Sequence, residues 1–285
     1  MIHPAGKTRS EGSLLAFFLL VYAASWAIFV PVALTGGPTL NPLSALAVTL
    51  GAFTPSVVAL ALTWRAEGDA GVRRFLNLLF RWDVPARWYV LASLYMVTIK
   101  LAAAVVVRVA TGGWPRFGTE PLILIPIAIA FSTPFQAGEE IGWRGYALPR
   151  LAKRFGLRMA CLLLGVIWAT WHLPLFFVRG TDTYAQSFVG YLLSVMALAV
   201  ALGWFYARTR SLLPVLLLHS AVNNSKDIVP SIQPGTHDRF GLSASPVGWV
   251  TLGLLWAGAL YFLIRMPPAV PGQDATSFGP DEGSR

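Results

Sequence analysis

The sequence predicts an all-α polytopic membrane protein, with about eight transmembrane helices enclosing an intramembrane polar cavity. Three observations carry that prediction. Apolar residues make up 55% of the 285 residues and charged residues only 12%, with a mean hydropathy of +0.61. Soluble domains run at about 45–50% apolar and about 25% charged. Runs close to the ~20 apolar residues that a spanning helix needs follow one another along the chain. The basic residues fall between those runs, alternating in density from loop to loop. The runs are continuous instead of alternating in short segments, which argues against a β-barrel.

Taken in order, the spans are 14–35, 42–64, 86–109, 121–143, 157–178, 187–206, 212–228 and 246–265. The first follows Lys7 and Arg9, as a signal peptide would. Its apolar stretch exceeds the roughly 7–15 residues of a signal core, so it reads as a retained helix after a cytoplasmic segment, 1–13. The third span carries Lys100 at its middle, the fourth ends on a pair of glutamates, and the fifth and seventh carry histidines. Residues 14–266 form a single helical domain, and the tail 267–285, rich in Pro, Gly, Ser and Asp, reads as a disordered cytoplasmic end.

With the N-terminus placed in the cytoplasm, sixteen Lys and Arg residues fall on the inner side, among them Lys7, Arg81, Lys153 and Arg265. The outer loops hold four, namely Arg116, Arg179, Lys226 and Arg239. This bias predicts an inner-membrane protein with both termini cytoplasmic. The same distribution makes the net charge of +9 a topology signal, so no nucleic-acid partner is expected. The one cysteine, Cys161, lies in an apolar run and excludes an internal disulfide or a thiolate zinc site. No HExxH, Walker loop or dinucleotide-binding glycine motif is present.

Chemistry enters through the polar residues inside the spans. The run Pro121–Ala137 leads directly into Gly138-Glu139-Glu140-Ile141-Gly142-Trp143-Arg144. A carboxylate at the bilayer centre costs roughly 2.5–3.5 kcal/mol on insertion scales, so such residues are paired, face water or do chemistry. On a helix Arg144 reaches Glu140, four residues away, while Glu139 points elsewhere. The pair therefore divides into a positioned carboxylate and a free one. In the fifth span Trp168 precedes His172 by one turn, and in the seventh His219 and Asn223 share a face. Each of these pairs taken alone is equally readable as helix packing. Together they supply a base, imidazoles and an amide, the parts of a hydrolytic site. Ser132, Ser194 and Ser220 read as ordinary packing serines, because no serine triad can be assembled. Lys100 pairs with a cavity carboxylate, binds a substrate carboxylate or faces a polar gap.

The three elements resemble the CPBP family of intramembrane proteases, the CAAX-protease and bacteriocin-processing group. The family's EExxxR motif stands here as Glu139-Glu140-Ile141-Gly142-Trp143-Arg144. Its FxxxH stands as Trp168-Ala169-Thr170-Trp171-His172, with Trp in place of Phe, and its HxxxN as His219-Ser220-Ala221-Val222-Asn223. The matched block covers about 121–224. Aromatic bulk is kept at Trp168, which reads as tolerated packing. The resemblance implies an intramembrane endopeptidase acting on a membrane-associated protein or peptide, lipidated in the eukaryotic precedent. It implies that Glu139 and His172 activate water, that His219 and Asn223 stabilise the oxyanion, and that Glu140 and Arg144 orient the site. It also leaves open a zinc ion held by Glu139, His172 and His219 beside a metal-free glutamate mechanism. The expected cavity opens toward the cytoplasm, below the inner headgroups. Two other classes compete: a catalytically silent scaffold or immunity factor of the same fold, and a proton-coupled transporter, since carboxylates and histidines also build proton relays.

Overall fold

A computed structural model of the chain describes residues 11–35, 41–184, 186–231, 240 and 244–267. The N-terminal segment up to Ser10, Arg239 and the tail from 268 onward lie outside the described residues. Among the described residues every regular element is helical. The α-helices are α1 (Glu11–Thr35), α2 (Pro42–Ala52), α3 (Thr54–Asn77), α4 (Ala86–Thr111), α5 (Leu124–Ser132), α6 (Ala137–Glu140), α7 (Leu148–Phe155), α8 (Leu157–Trp171), α9 (Phe188–Thr209), α10 (Leu213–Ser225) and α11 (Pro246–Arg265).

Six stretches of the described chain are long and apolar enough to cross a membrane. They are Leu14–Thr35, Pro42–Asn77, Ala86–Thr111, Leu157–Phe177, Phe188–Thr209 and Pro246–Arg265. All correspond to predicted spans, and the chain is an all-α polytopic membrane protein. The other two predicted spans fall short as single helices for identifiable reasons. Residues 121–143 do not end at the glutamates. Helical structure runs on to Phe155 but is broken: α5 passes into a 3₁₀ turn at Thr133–Gln136, where Pro134 sits, and α6 passes into a π-helical stretch at Ile141–Ala147. Glu139 therefore lies in the middle of this path. Helix α10 has only 13 residues and is largely buried, walled by α4, α5 and α9.

The core that positions the site is aromatic. Phe17 of α1 meets the Trp143 ring at 5.8 Å, Trp143 meets Trp171 at 5.6 Å, and Trp171 meets Phe29 at 5.5 Å, all near edge-on. Such pairs contribute about 0.5–1.5 kcal/mol each beyond their burial. Trp171 donates its indole N–H to Ser25 Oγ at 2.7 Å, and Trp26 donates to the Trp171 carbonyl at 3.0 Å. These bonds fix the C-terminal end of α8 against the middle of α1. Gly142 lets the π-helical stretch lie directly on α3, since a Cβ there would come within 2.5 Å of the Pro55 carbonyl oxygen.

The two ends of the bundle are tied separately. At one end Leu212 N–H donates to the Leu78 carbonyl at 2.9 Å and Arg208 donates to the Arg265 carbonyl at 2.8 Å. At the other, Gly118 N–H donates to the Ile228 carbonyl at 3.1 Å and Lys226 pairs with Asp182. The first end carries the basic loops counted above.

Candidate active site

A cavity of about 480 Å³ enters the bundle, and Glu139, His172, His219 and Asn223 all line it. These side chains come from three separate stretches: the broken helix, the end of α8 and the middle of α10. Glu139 is half-buried, and its Oε2 accepts the indole N–H of Trp168 at 2.6 Å. His172 caps α8, with its Nδ1 2.8 Å from the Trp168 carbonyl. A carbonyl only accepts, so Nδ1 carries the proton and a neutral His172 keeps a lone pair on Nε2. The Trp168 ring lies edge-on to both imidazoles, 5.9 Å from His172 and 5.2 Å from His219.

Behind the cavity wall sits the positioned carboxylate. Glu140 and Arg144 are both fully buried, and Arg144 Nη1 donates to Glu140 Oε1 at 2.7 Å, as their spacing predicts. The same Oε1 lies 2.7 Å from His219 Nδ1, so Glu140 holds a guanidinium and an imidazole at once. The Arg144 guanidinium also stacks 4.3 Å from the Trp168 ring centroid. Glu140 therefore fixes which nitrogen His219 turns away from it, and leaves Nε2 for the cavity.

Two features escape sequence reading. Trp168 is more than aromatic bulk, since phenylalanine has no N–H to give Glu139. Gln136, buried one turn before Glu140, accepts an amide N–H of Asn223 at 3.4 Å and so orients it. Its only sequence signal is a polar side chain inside an apolar run. The serines behave as packing groups. Ser132 and Ser220 are bonded to each other at 2.6 Å, Asn224 donates to Ser132 at 2.7 Å, and Ser194 donates to the Gly190 carbonyl at 2.9 Å.

Among the described residues no three His, Cys, Asp or Glu side chains are grouped to hold a metal ion. Glu139 keeps one oxygen clear of Trp168, and each imidazole is held at Nδ1 with Nε2 left over, so the donor types suit a zinc ion, which Glu139, His172 and His219 would hold. The cavity runs past Gly180, Asp182 and Gln186 in the α8–α9 loop and past Lys226, Asp227 and Ser231 after α10. Those loops belong to the end opposite the basic loops. The broken helix continues past Glu139 to Phe155 toward the end that carries the basic loops.

The stretch that carries the site also resembles known proteins. Residues 119–225 match the family described as Type II CAAX prenyl endopeptidase Rce1-like. The chain is also similar to the CAAX prenyl protease 2 of Methanococcus maripaludis, 23% identical over 237 residues, covering 76% of this chain and 85% of that protein. Because the matched stretch begins just before the broken helix and ends just after Asn223, it takes in all three motifs, and the part of the chain that carries the site is similar to the Rce1-like family.

Proposed function

We propose that the protein is an intramembrane endopeptidase that hydrolyses a peptide bond of a membrane-associated protein or peptide through a water activated by Glu139. The observation that carries this reading is one cavity within the helical bundle lined by a carboxylate with one oxygen uncommitted, two imidazoles with Nε2 uncommitted, and an amide. Glu139 takes one proton from water while His172 Nε2 accepts a hydrogen bond from the O–H that remains and so orients the oxygen. The hydroxide forms a bond to the scissile carbonyl carbon, and the π electrons move to its oxygen. The oxyanion is met by Asn223, whose second amide N–H is left over from Gln136, and by His219, whose Nε2 side Glu140 turns into the cavity. Collapse breaks the C–N bond, and Glu139 returns its proton to the leaving nitrogen. Trp168 anchors one Glu139 oxygen and so leaves the other for this transfer.

The positive-inside count puts the basic loops in the cytoplasm, with the protein in the inner membrane. The mouth formed by the α8–α9 loop and the segment after α10 then faces away from the cytoplasm. Substrates are accordingly peptides or proteins presented in the membrane from that side.

New protein N-termini in membranes carrying wild type or Glu139→Ala, compared by terminal-amine mass spectrometry, test the reaction. Loss of general-base catalysis lowers turnover by about 10²–10⁴-fold. Termini generated by the wild type should therefore fall to background in the variant. Identical profiles from two equally expressed, folded proteins would refute the proposal.

A further inference from the structure

One charged side chain in the cavity wall has no part in the mechanism above. Lys100, in the middle of α4, is only 2% exposed and lines the same cavity as Glu139. Its ammonium donates to the Val229 carbonyl at 3.1 Å and to Ser231 Oγ. An ammonium carries three N–H donors, so one is left over. Among the described residues no carboxylate forms an ion pair with it, and Asp227 acts on it only at longer range. A buried cation without a counter-ion is costly in any protein and more so at membrane depth.

A second polar group faces the same space. Thr251 of α11 is 5% exposed, lines the cavity, and its hydroxyl has no hydrogen-bond partner among the described residues. The packing of α4 on α11 puts the two at one level. Ala104 and Val107 cluster with Val247. One turn back along α4 from Ala104 is Lys100, and one turn forward along α11 from Val247 is Thr251. The helices run in opposite directions, so both steps lead the same way into the bundle. Apolar Met96 and Leu255 line the cavity beside them. This is the make-up of a subsite for one small anion: a cation and a hydroxyl in an apolar wall.

We propose that Lys100 and Thr251 form a carboxylate-binding subsite that seats an anionic end of the peptide substrate. The inference rests on the protease reading for its ligand, because a peptide supplies carboxylates. A carboxylate seated at Lys100 fixes how far along the chain the bond facing Glu139 lies, so the subsite selects the bond as well as the substrate. Terminal and side-chain carboxylates share this chemistry, and the terminal one is the α-carboxylate of the peptide.

The test is equilibrium binding of fluorophore-labelled apolar hexapeptides to the purified full chain in phosphatidylcholine nanodiscs, in a Glu139→Gln background that removes turnover. Three probes are used: a free C-terminus, an amidated C-terminus, and an amidated peptide with an internal Glu. The free acid should bind at least tenfold more tightly than the plain amide. Lys100→Gln should erase that preference while leaving amide binding unchanged, Lys100→Arg should retain most of it, and Thr251→Val should reduce it. Recovery of affinity with the internal Glu would assign the subsite to a side chain as well. Equal binding of acid and amide, or equal loss of both in Lys100→Gln, would overturn the proposal and leave Lys100 as a tether for residues 229–231. A Lys100-dependent preference seen only as competition by phosphatidylglycerol would overturn it in favour of a lipid phosphate. Cleavage of the same peptides by wild type against Glu139→Ala is scored separately, so a binding preference without cleavage would fault the protease reading and spare the subsite.

Discussion

Trp168 is the residue on which the site turns. Its indole N–H holds Glu139, its carbonyl holds His172, its ring lies against His219, and Arg144 stacks on its face. Substituting the Phe of the family motif keeps the ring and removes only the N–H. A hydrogen bond to a charged group contributes about 1.5–3 kcal/mol, so Trp168→Phe should lower kcat/KM by about ten- to hundredfold. The loss should appear mainly in kcat, with thermal stability little changed, as steady-state kinetics on a peptide identified by terminal mass spectrometry and a melting curve would record. Steady kinetics in the variant would show that Glu139 is held by other means. The spacing of Glu140 and Arg144 is legible because an i, i+4 pair on a helix has one geometry. The function of Trp168 is not, because sequence does not say where an indole points. The bond from Gln136 to Asn223 spans 87 positions and depends on how the broken helix meets α10, which no local pattern encodes.

At the scale of elements, the informative departure is the broken helix. Hydropathy shows an apolar run up to Ala137 and gives no sign that helical structure continues through 3₁₀, α and π segments to Phe155. Pro134 marks the first irregularity, since it cannot donate to the preceding turn. The π-helical stretch is less legible, because it depends on contacts with α3. Such stretches are common at functional sites. Here it carries Arg144 to Glu140 while Gly142 rests on the Pro55 carbonyl. Gly142→Ala would put a Cβ 2.5 Å from that oxygen, and the obstacle is backbone, so the helices must move apart. Overpacking of this kind costs about 1–3 kcal/mol. The variant should melt several degrees lower and lose activity out of proportion to its folded fraction, because the displaced stretch carries Arg144 and follows directly on Glu139 and Glu140. Gly112→Ala, at a helix end with nothing within 4 Å of an added Cβ, serves as the comparison for strain at φ +77° without a packing clash.

On the scale of the whole molecule, two signals combine that neither sequence nor structure supplies alone. The charge bias predicts which face meets the cytoplasm, and it is legible in the loops. Which face the cavity meets is not, because the depth of Glu139 depends on a helix that the hydropathy profile cuts short. Together they put the mouth on the face with few basic residues, among them Arg179 and Lys226, and the crowded basic segment Arg150–Arg158 at the other end. Cysteine labelling decides this with little background, since the single native Cys161 is fully buried. Asp182 lines the mouth and is exposed, while Lys153 is exposed at the end of α7. A membrane-impermeant maleimide applied to intact spheroplasts should label Asp182→Cys and leave Lys153→Cys unlabelled until the membrane is permeabilised. The opposite pattern would turn the mouth to the cytoplasm and make cytoplasmic peptides the substrates. It would also mean that sixteen basic residues against four do not set the orientation of this chain. Blocking of hydrolysis by the maleimide on Asp182→Cys, in the same sealed spheroplasts, would further tie that exposed face to the path a substrate takes to Glu139.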